Sequence, residues 1–210
     1  MSSVHHHIAR AAFRPVALAL AAIAAVGCSE QKLADPSPTP ALSVLQESAT
    51  LFETNGALSP AWGTATIKRG PTGVQVQLRV TDPAVLATLQ GDAVTFWLAS
   101  FTDPGECLVP NACTPADIGR PVTGGFLQNA GGQVLGNGPI NVTLHAREGD
   151  ISTKQGGTTD GLVDAENDEI HAVIRSHGAP IPGRVHEQIG SLNGGCPPNA
   201  CVSVAVAIFQ

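Results

Sequence analysis

Tyrosine is absent from this 210-residue chain, aromatic residues make up 4% of it, and charged residues only 13%. Coiled coils and long solvated helices are built from Glu, Lys and Leu, so charge this sparse excludes them. Phosphate-binding electrostatics are missing too. Eleven Lys and Arg stand against 17 Asp and Glu, a net charge of −6, which argues against nucleic acid as a partner. No Gly-x-Ser-x-Gly nucleophile elbow and no His-Glu-x-x-His zinc helix occurs. The pairs Gly131-Gly132 and Gly156-Gly157 are not in a strand-to-helix setting, so neither reads as a phosphate loop. No catalytic residue and no cofactor is assigned from this pattern. What the chain does have is 43% apolar residues, enough for a core, with 23 glycines and 16 prolines to punctuate it.

The N-terminus reads as an export signal. Arg10 and Arg14 precede an apolar run from Pro15 to Val26, which ends at Ala25-Val26-Gly27-Cys28. A run this short suits a signal peptide and not a bilayer-spanning helix. Small residues directly before a cysteine resemble the lipobox of bacterial lipoproteins, with Ala25 standing where leucine is usual. Residues 1–27 are therefore expected to be removed and Cys28 to carry the lipid, with plain secretion as the alternative. His5, His6 and His7 fall in the discarded segment. Residues 28–40, with Pro36, Pro38 and Pro40 among Ser and Thr, read as an extended tether, and residues 41–210 as one domain. Without the signal, nine Lys and Arg face 17 acidic residues, a charge of −8. Ser29 after the lipidated cysteine resembles signals for transfer to an outer membrane, where the cell has one. The expected location is the bacterial cell envelope, with the membrane a partner through the lipid alone.

Four cysteines follow in two echoing segments, Cys107-Leu-Val-Pro-Asn-Ala-Cys113 and Cys196-Pro-Pro-Asn-Ala-Cys201. A Pro-Asn turn folds the chain back, so the spacing predicts disulfides 107–113 and 196–201. The two crossed connectivities stay open, as does a four-cysteine zinc site, although the spacings are wider than a zinc knuckle's. Loops this short remove about 2 kcal/mol of unfolded-state entropy each, so they are local staples.

Strand signals begin at Trp62. Trp62–Arg69 and Val74–Val80 flank Gly70-Pro71-Thr72-Gly73, a hairpin, and Val74, Val76, Leu78 and Val80 alternate with polar residues. Asp82 and Pro83 predict one helical turn over Ala84–Leu89. Val94–Phe101 is apolar on both faces and reads as a central strand. Ile140–Arg147, Ile170–His177 and Val202–Phe209 complete the set, the last with Val202, Val204, Val206 and Ile208 on one face. Leu42, Leu45 and Phe52 mark a short amphipathic stretch, helix or strand. Thr102–Val122 and Glu148–Gly161 read as loops. The expected fold is an all-β antiparallel β-sandwich of six or seven strands with long loops.

Glu169-Ile-His-Ala-Val-Ile-Arg-Ser-His-Gly178, Pro182-Gly183 and Glu187-Gln-Ile189 resemble a set of uncharacterised bacterial secreted proteins and lipoproteins. Thr95-Phe-Trp97 before a cysteine loop and the closing Gly194–Val202 segment match that set. More loosely, Gly63–Thr66 and Ile174–Gly183 resemble the chordin-type β-sandwich domain, whose strand-ending histidine would fall at His177. That domain's earlier His-x-His-Gly has no counterpart in Val94–Phe101. The resemblance covers roughly residues 60–210 and brings no activity with it.

The candidate polar site is His171, Arg175 and His177, which period two places on one strand face. A six-residue separation along a strand is about 20 Å, too far for one ion to bridge without a bend. Hydrogen-bonded histidines are the plain reading, beside a metal-binding or redox domain using His171 and His177 as the alternative. His145 and His186 are the other histidines of the domain. Arg175 is expected to pair with Glu169 or Glu187. The acidic run Asp160, Asp164, Glu166, Asp168 and Glu169 reads as a solvated loop, with calcium the rival reading. Together these features point to a non-enzymatic binding or structural module. Mass spectrometry of the membrane-extracted protein should find a mature N-terminus at Cys28 bearing acyl chains. An unmodified Cys28, or cleavage elsewhere, would contradict the lipobox reading.

Overall fold

The computed structural model describes residues 44–54 and 61–210. The signal segment, Cys28 and the proline-rich tether lie outside the described residues. Nine strands form: β1 Leu45–Glu53, β2 Ala61–Gly70, β3 Gly73–Val80, β4 Ala93–Phe101, β5 Phe126–Val134, β6 Ile140–Arg147, β7 Lys154–Gly157, β8 Glu169–Ser176 and β9 Val202–Phe209. Two short helices, α1 Pro83–Leu89 and α2 Val185–Gly190, complete the frame. Every neighbouring pair is antiparallel, in the order β6-β3-β2-β1-β9-β8-β4-β5-β7.

The all-β antiparallel class holds, but hydrogen bonding joins the strands into one curled sheet. Its ends bend toward each other like half a barrel. Leu78 of β3 and Leu144 of β6 share one buried cluster with Phe96 of β4, Ile174 of β8 and Phe209 of β9. The Gln128 side chain on β5 donates to the His145 carbonyl on β6 at 3.4 Å, bridging the two ends. Alternation makes this possible. Val74, Val76, Leu78 and Val80 turn inward while Gln75, Gln77 and Arg79 stay exposed, and β6 repeats the pattern opposite them. Each such aliphatic side chain contributes about 1.5–3 kcal/mol by burial.

The β2–β3 hairpin pairs Gly70 with Gly73, so its turn is the two residues Pro71 and Thr72 and not four. The Asp82 carboxylate caps α1 by accepting from the N–H groups of Ala84 and Val85. β5, which contains Gly131-Gly132, carries no alternating pattern and is not expected as a strand from the sequence. The glycines serve close approach: a Cβ on Gly132 would collide with the Ile189 backbone of α2. β7 is four residues of Lys-Gln-Gly-Gly within a stretch that reads as loop. In β9 the register slips beside Ile174, so Val204 packs with the core while Val206 and Ile208 face outward, and Ala205, Ala207 and Phe209 are the buried residues.

One mouth of the curled sheet is closed by the acidic segment, and this corrects its reading as a wholly solvated loop. Asp168 and Glu169 are fully buried. The guanidinium of Arg69, also buried, donates to the carbonyls of Ala165 and Asp168 at 3.2 and 2.8 Å. Asp164 stays outside and accepts from the N–H groups of Glu166 and Asn167. Burial pushes the Asp168 carboxyl up to about 6, and hydrogen bonds from the N–H groups of Asp164 and Val163 recover only part of that shift. A raised acid favours the folded state while neutral. Its contribution is whole below the unfolded pKa of about 3.9 and is lost as the pH rises through the folded value. Asp168→Asn mimics the neutral acid. It should gain about 1–2 kcal/mol on the wild type between about pH 4 and pH 8, allowing for solvent screening at the loop. Urea melts at both pH values check this, and a gap independent of pH would refute it.

Candidate functional site

Period two gives β4 and β8 a second face, directed away from the core. Thr95, Trp97, Ala99 and Phe101 lie on it from β4, and Glu169, His171, Val173 and Arg175 from β8. Two long connections cover it. Residues 102–125 run through three single-turn helices and the Cys107–Cys113 disulfide, whose Cα atoms are 5.2 Å apart. Residues 177–201 carry α2 and the Cys196–Cys201 disulfide, with Cα atoms 5.9 Å apart. The pairing is therefore local in both loops, as the Pro-Asn turns predict. The crossed pairs are not the ones formed, and among the described residues the four sulfurs do not gather at one point. Trp97, Ala99, Phe101 and Leu127 form a small apolar cluster with Cys107 and Cys113.

The first loop is organised around Asp117, which is fully buried. Its carboxylate accepts from the N–H groups of Leu108 and Thr114, the Thr114 hydroxyl and the Arg120 guanidinium, all at 2.8–2.9 Å. Burial pushes its pKa up, but these donors outweigh that and hold the carboxyl far below the usual range.

His171 and Arg175 share a groove between the two covering loops. The His171 Nε2 lies 2.6 Å from Glu169 Oε1, which also accepts the Cys113 N–H at 3.1 Å. The Phe101 ring is tilted against the imidazole at 5.2 Å. Glu169 Oε2 is buried without a hydrogen-bond partner. Arg175 does not form the expected pair with Glu169 or Glu187. Glu169 is held by His171, and Glu187 by Arg184 at 2.8 Å. Arg175 instead donates to the Leu192 carbonyl, the Ser203 hydroxyl and the Asn193 side chain. Among the described residues no carboxylate lies within ion-pair distance of it. Burial alone lowers its pKa. A cavity of about 290 Å³ is lined by Trp97, Phe101, Leu127, Val173, His171 and Arg175. A neighbouring one of about 370 Å³ shares His171, Val173 and Ser203 and continues over Val206 and Ile208.

His177 stands apart from this groove, one residue past β8, and is fully buried. The Gln188 and Asn199 side chains both donate to its carbonyl oxygen. Its Nδ1 is 2.9 Å from the Gly194 carbonyl and 3.2 Å from Cys201 Sγ, and its Nε2 is 2.8 Å from the Thr95 hydroxyl. A carbonyl can only accept, so Nδ1 carries the proton. Thr95 accepts from the Trp97 indole at 2.6 Å and donates its own hydrogen to Nε2. Burial lowers the His177 pKa, assisted by the nearby Arg175 charge and opposed by the Gly194 hydrogen bond.

The predicted trio is thus split between a groove holding His171 and Arg175 and a buried pocket holding His177. His145 and His186 are exposed on β6 and α2 and join neither. His177, Cys196 and Cys201 do converge, with one ligand atom of each within 4.8 Å of the others. In this state the sulfurs are bonded to each other and Nδ1 is protonated, whereas a metal needs thiolate and an imidazole lone pair. The nearness of His177 to Cys201 had no sequence signal beyond the duplicated Pro-Asn-Ala-Cys.

No family model, curated protein or solved structure matches the chain. Among the described residues no helix is long and apolar enough to cross a membrane.

A histidine whose folded pKa lies below 6.5 stabilises the fold fully above that value and loses its contribution as the pH falls below it. Nitrogen-resolved NMR should find His177 as the Nδ1–H tautomer, titrating below 6.5. The Nε2–H tautomer or a midpoint above that value would contradict the assignment.

Proposed function

We propose that the protein is an exported, lipid-anchored lipoprotein of the bacterial envelope whose β domain binds a small ligand and performs no catalysis. The ligand class is a compact apolar molecule carrying one anionic group. The observation that carries this is Arg175, a half-buried cation with no carboxylate partner among the described residues, at the edge of an apolar-floored groove. A cation taken partly out of water needs a counter-charge, and the groove has room for one from outside. Of the five guanidinium N–H groups, three are used by Leu192, Ser203 and Asn193, which leaves two for an incoming anion. The aromatic and aliphatic floor selects an apolar body.

Membership of the secreted set, the looser likeness to the chordin-type domain and its sandwich architecture belong to the same proposal. What supports the sandwich is that inward residues of β3 and β6 meet those of β4 and β8 in one core.

Anilinonaphthalene sulfonate and its neutral relative N-phenylnaphthylamine test the reading as a pair. The sulfonate should bind one to one, accept energy from Trp97 and lose about tenfold in affinity, or 1.4 kcal/mol, in Arg175→Met. The neutral probe should bind the variant and the wild type equally. Equal sulfonate binding by both proteins, or none by either, would sink the proposal.

A further inference from the structure

The two disulfides occupy different surroundings. Cys107 and Cys113 are 5% and 4% exposed and packed against Trp97 and Phe101. Cys196 and Cys201 are only partly buried, and the Pro197-Pro198 segment between them is exposed. Cys201 Sγ lies 3.2 Å from His177 Nδ1, whereas among the described residues no imidazole is hydrogen-bonded to either sulfur of the first pair. The positive charge of Arg175 is close enough to bear on His177. An N–H donor and a nearby cation both favour a thiolate over a thiol.

We propose that Cys196–Cys201 is a thiol–disulfide exchange site, with Cys196 the sulfur that is attacked and Cys201 the leaving group. The substrate class is a thiol reductant. An external thiolate attacks Cys196 Sγ along the S–S axis, a reductant–Cys196 bond forms, and the bond to Cys201 breaks. Cys201 leaves with the electron pair as a thiolate and accepts a hydrogen bond from the His177 Nδ1–H, the proton staying on Nδ1. A second reductant thiolate then attacks the reductant sulfur of the mixed disulfide. Cys196 is released as a thiolate, which takes a proton from water, and the reductant departs as its disulfide. Two electrons have moved from two thiols to the protein.

The surroundings fit such a cycle because hydrogen bonds hold the loop in addition to the S–S bond. Asn199 donates from its side chain to the carbonyls of His177 and Ala179 at 2.7 Å, and its N–H reaches the Gly195 carbonyl at 3.3 Å. The Cys196 N–H is bonded to Asn193. His177 is itself fixed by Thr95, Gly194 and Gln188, so its Nδ1–H, bonded to the Gly194 carbonyl, stays 3.2 Å from the sulfur that develops charge and is shared with it as the bond opens. Leaving-group quality sets which sulfur is expelled, and of the two sulfurs it is Cys201 Sγ that lies within hydrogen-bonding distance of the imidazole.

The test uses the full-chain protein, graded dithiothreitol near neutral pH, quenching with N-ethylmaleimide and peptide mapping. Cys196–Cys201 should open at least tenfold faster than Cys107–Cys113. With glutathione as the reductant, the trapped mixed disulfide should sit on Cys196. Alkylation of the reduced loop against pH should give Cys201 a thiol pKa below the ordinary value of about 8.5. Equal opening rates, glutathione on Cys201, or an ordinary Cys201 pKa would each overturn the proposal. These measurements are made on the wild type and do not depend on whether a variant folds. In His177→Gln the Cys201 pKa should rise and opening should slow. An unchanged pKa in that variant would overturn the role given to His177. A structural disulfide merely more exposed than the other would open faster but would not show the low thiol pKa or the choice of sulfur.

Discussion

All nine residues of β4 are buried. A strand with two dry faces has to be covered twice, and the rest of the domain follows from how the two covers are made. The inner cover is the sheet itself, curled until β3 and β6 lie over β4, β8 and β9. The outer cover is irregular chain. That is a costly material for the purpose, because each loop residue brings an N–H and a carbonyl that must find partners once water is excluded. The chain solves this with buried polar hubs. Asp117 gathers the donors of the first loop, and Thr123 donates to the carbonyls of Asp117 and Arg120. Gln188 and Asn199 do the same work for the second loop around the carbonyls of His177 and Ala179.

This arrangement explains why polar groups on the outer face of β8 are not a wet strip. His171 and His177 sit under the covering loops and are bound into them, one through Glu169 and the Cys113 N–H, the other through Gly194. Their environments differ because the covers differ. The groove lies where the two loops fail to meet, which leaves apolar floor partly open with Arg175 at its edge. The His177 pocket lies where the second loop folds back on itself and brings Cys201 to the imidazole. The disulfides follow the same division, one sunk against the aromatic cluster and the other at the outer rim of its loop.

Charge is handled differently at the mouth of the curled sheet. Arg69 is buried there with carbonyl oxygens as its nearest acceptors, and Asp168 is buried beside it. Two opposite charges in a poorly solvated place stabilise each other less than removal from water costs them, which is why the Asp168 carboxyl titrates high. By contrast, Asp117 is surrounded by donors and titrates low. Two aspartates of one fold are driven in opposite directions. Desolvation dominates at Asp168, where the hydrogen bonds from Thr102 and Val163 are long at 3.5 and 3.4 Å, while short hydrogen bonds that include the Arg120 guanidinium dominate at Asp117.

Local chemistry made several features readable from the residues alone. Period-two alternation marks β3 and β6, the double-faced apolar run marks β4 as central, Asp82-Pro83 marks the start of α1, and the repeated Pro-Asn-Ala-Cys marks both disulfides. Each of these depends on residues close in sequence. β5 and β7 were hidden because their glycines carry no side-chain pattern, and the reason for Gly132 is the approach of a helix 50 and more residues away in the chain. Joining all strands into one curled sheet depends on hydrogen bonds between distant segments, which alternation cannot specify. The site divides along the same line. That His171, Arg175 and His177 share a strand face was legible from spacing. Which of them would be paired, opened to a groove or set against a sulfur was decided by where two loops come to rest, and loop placement is a property of the packed whole.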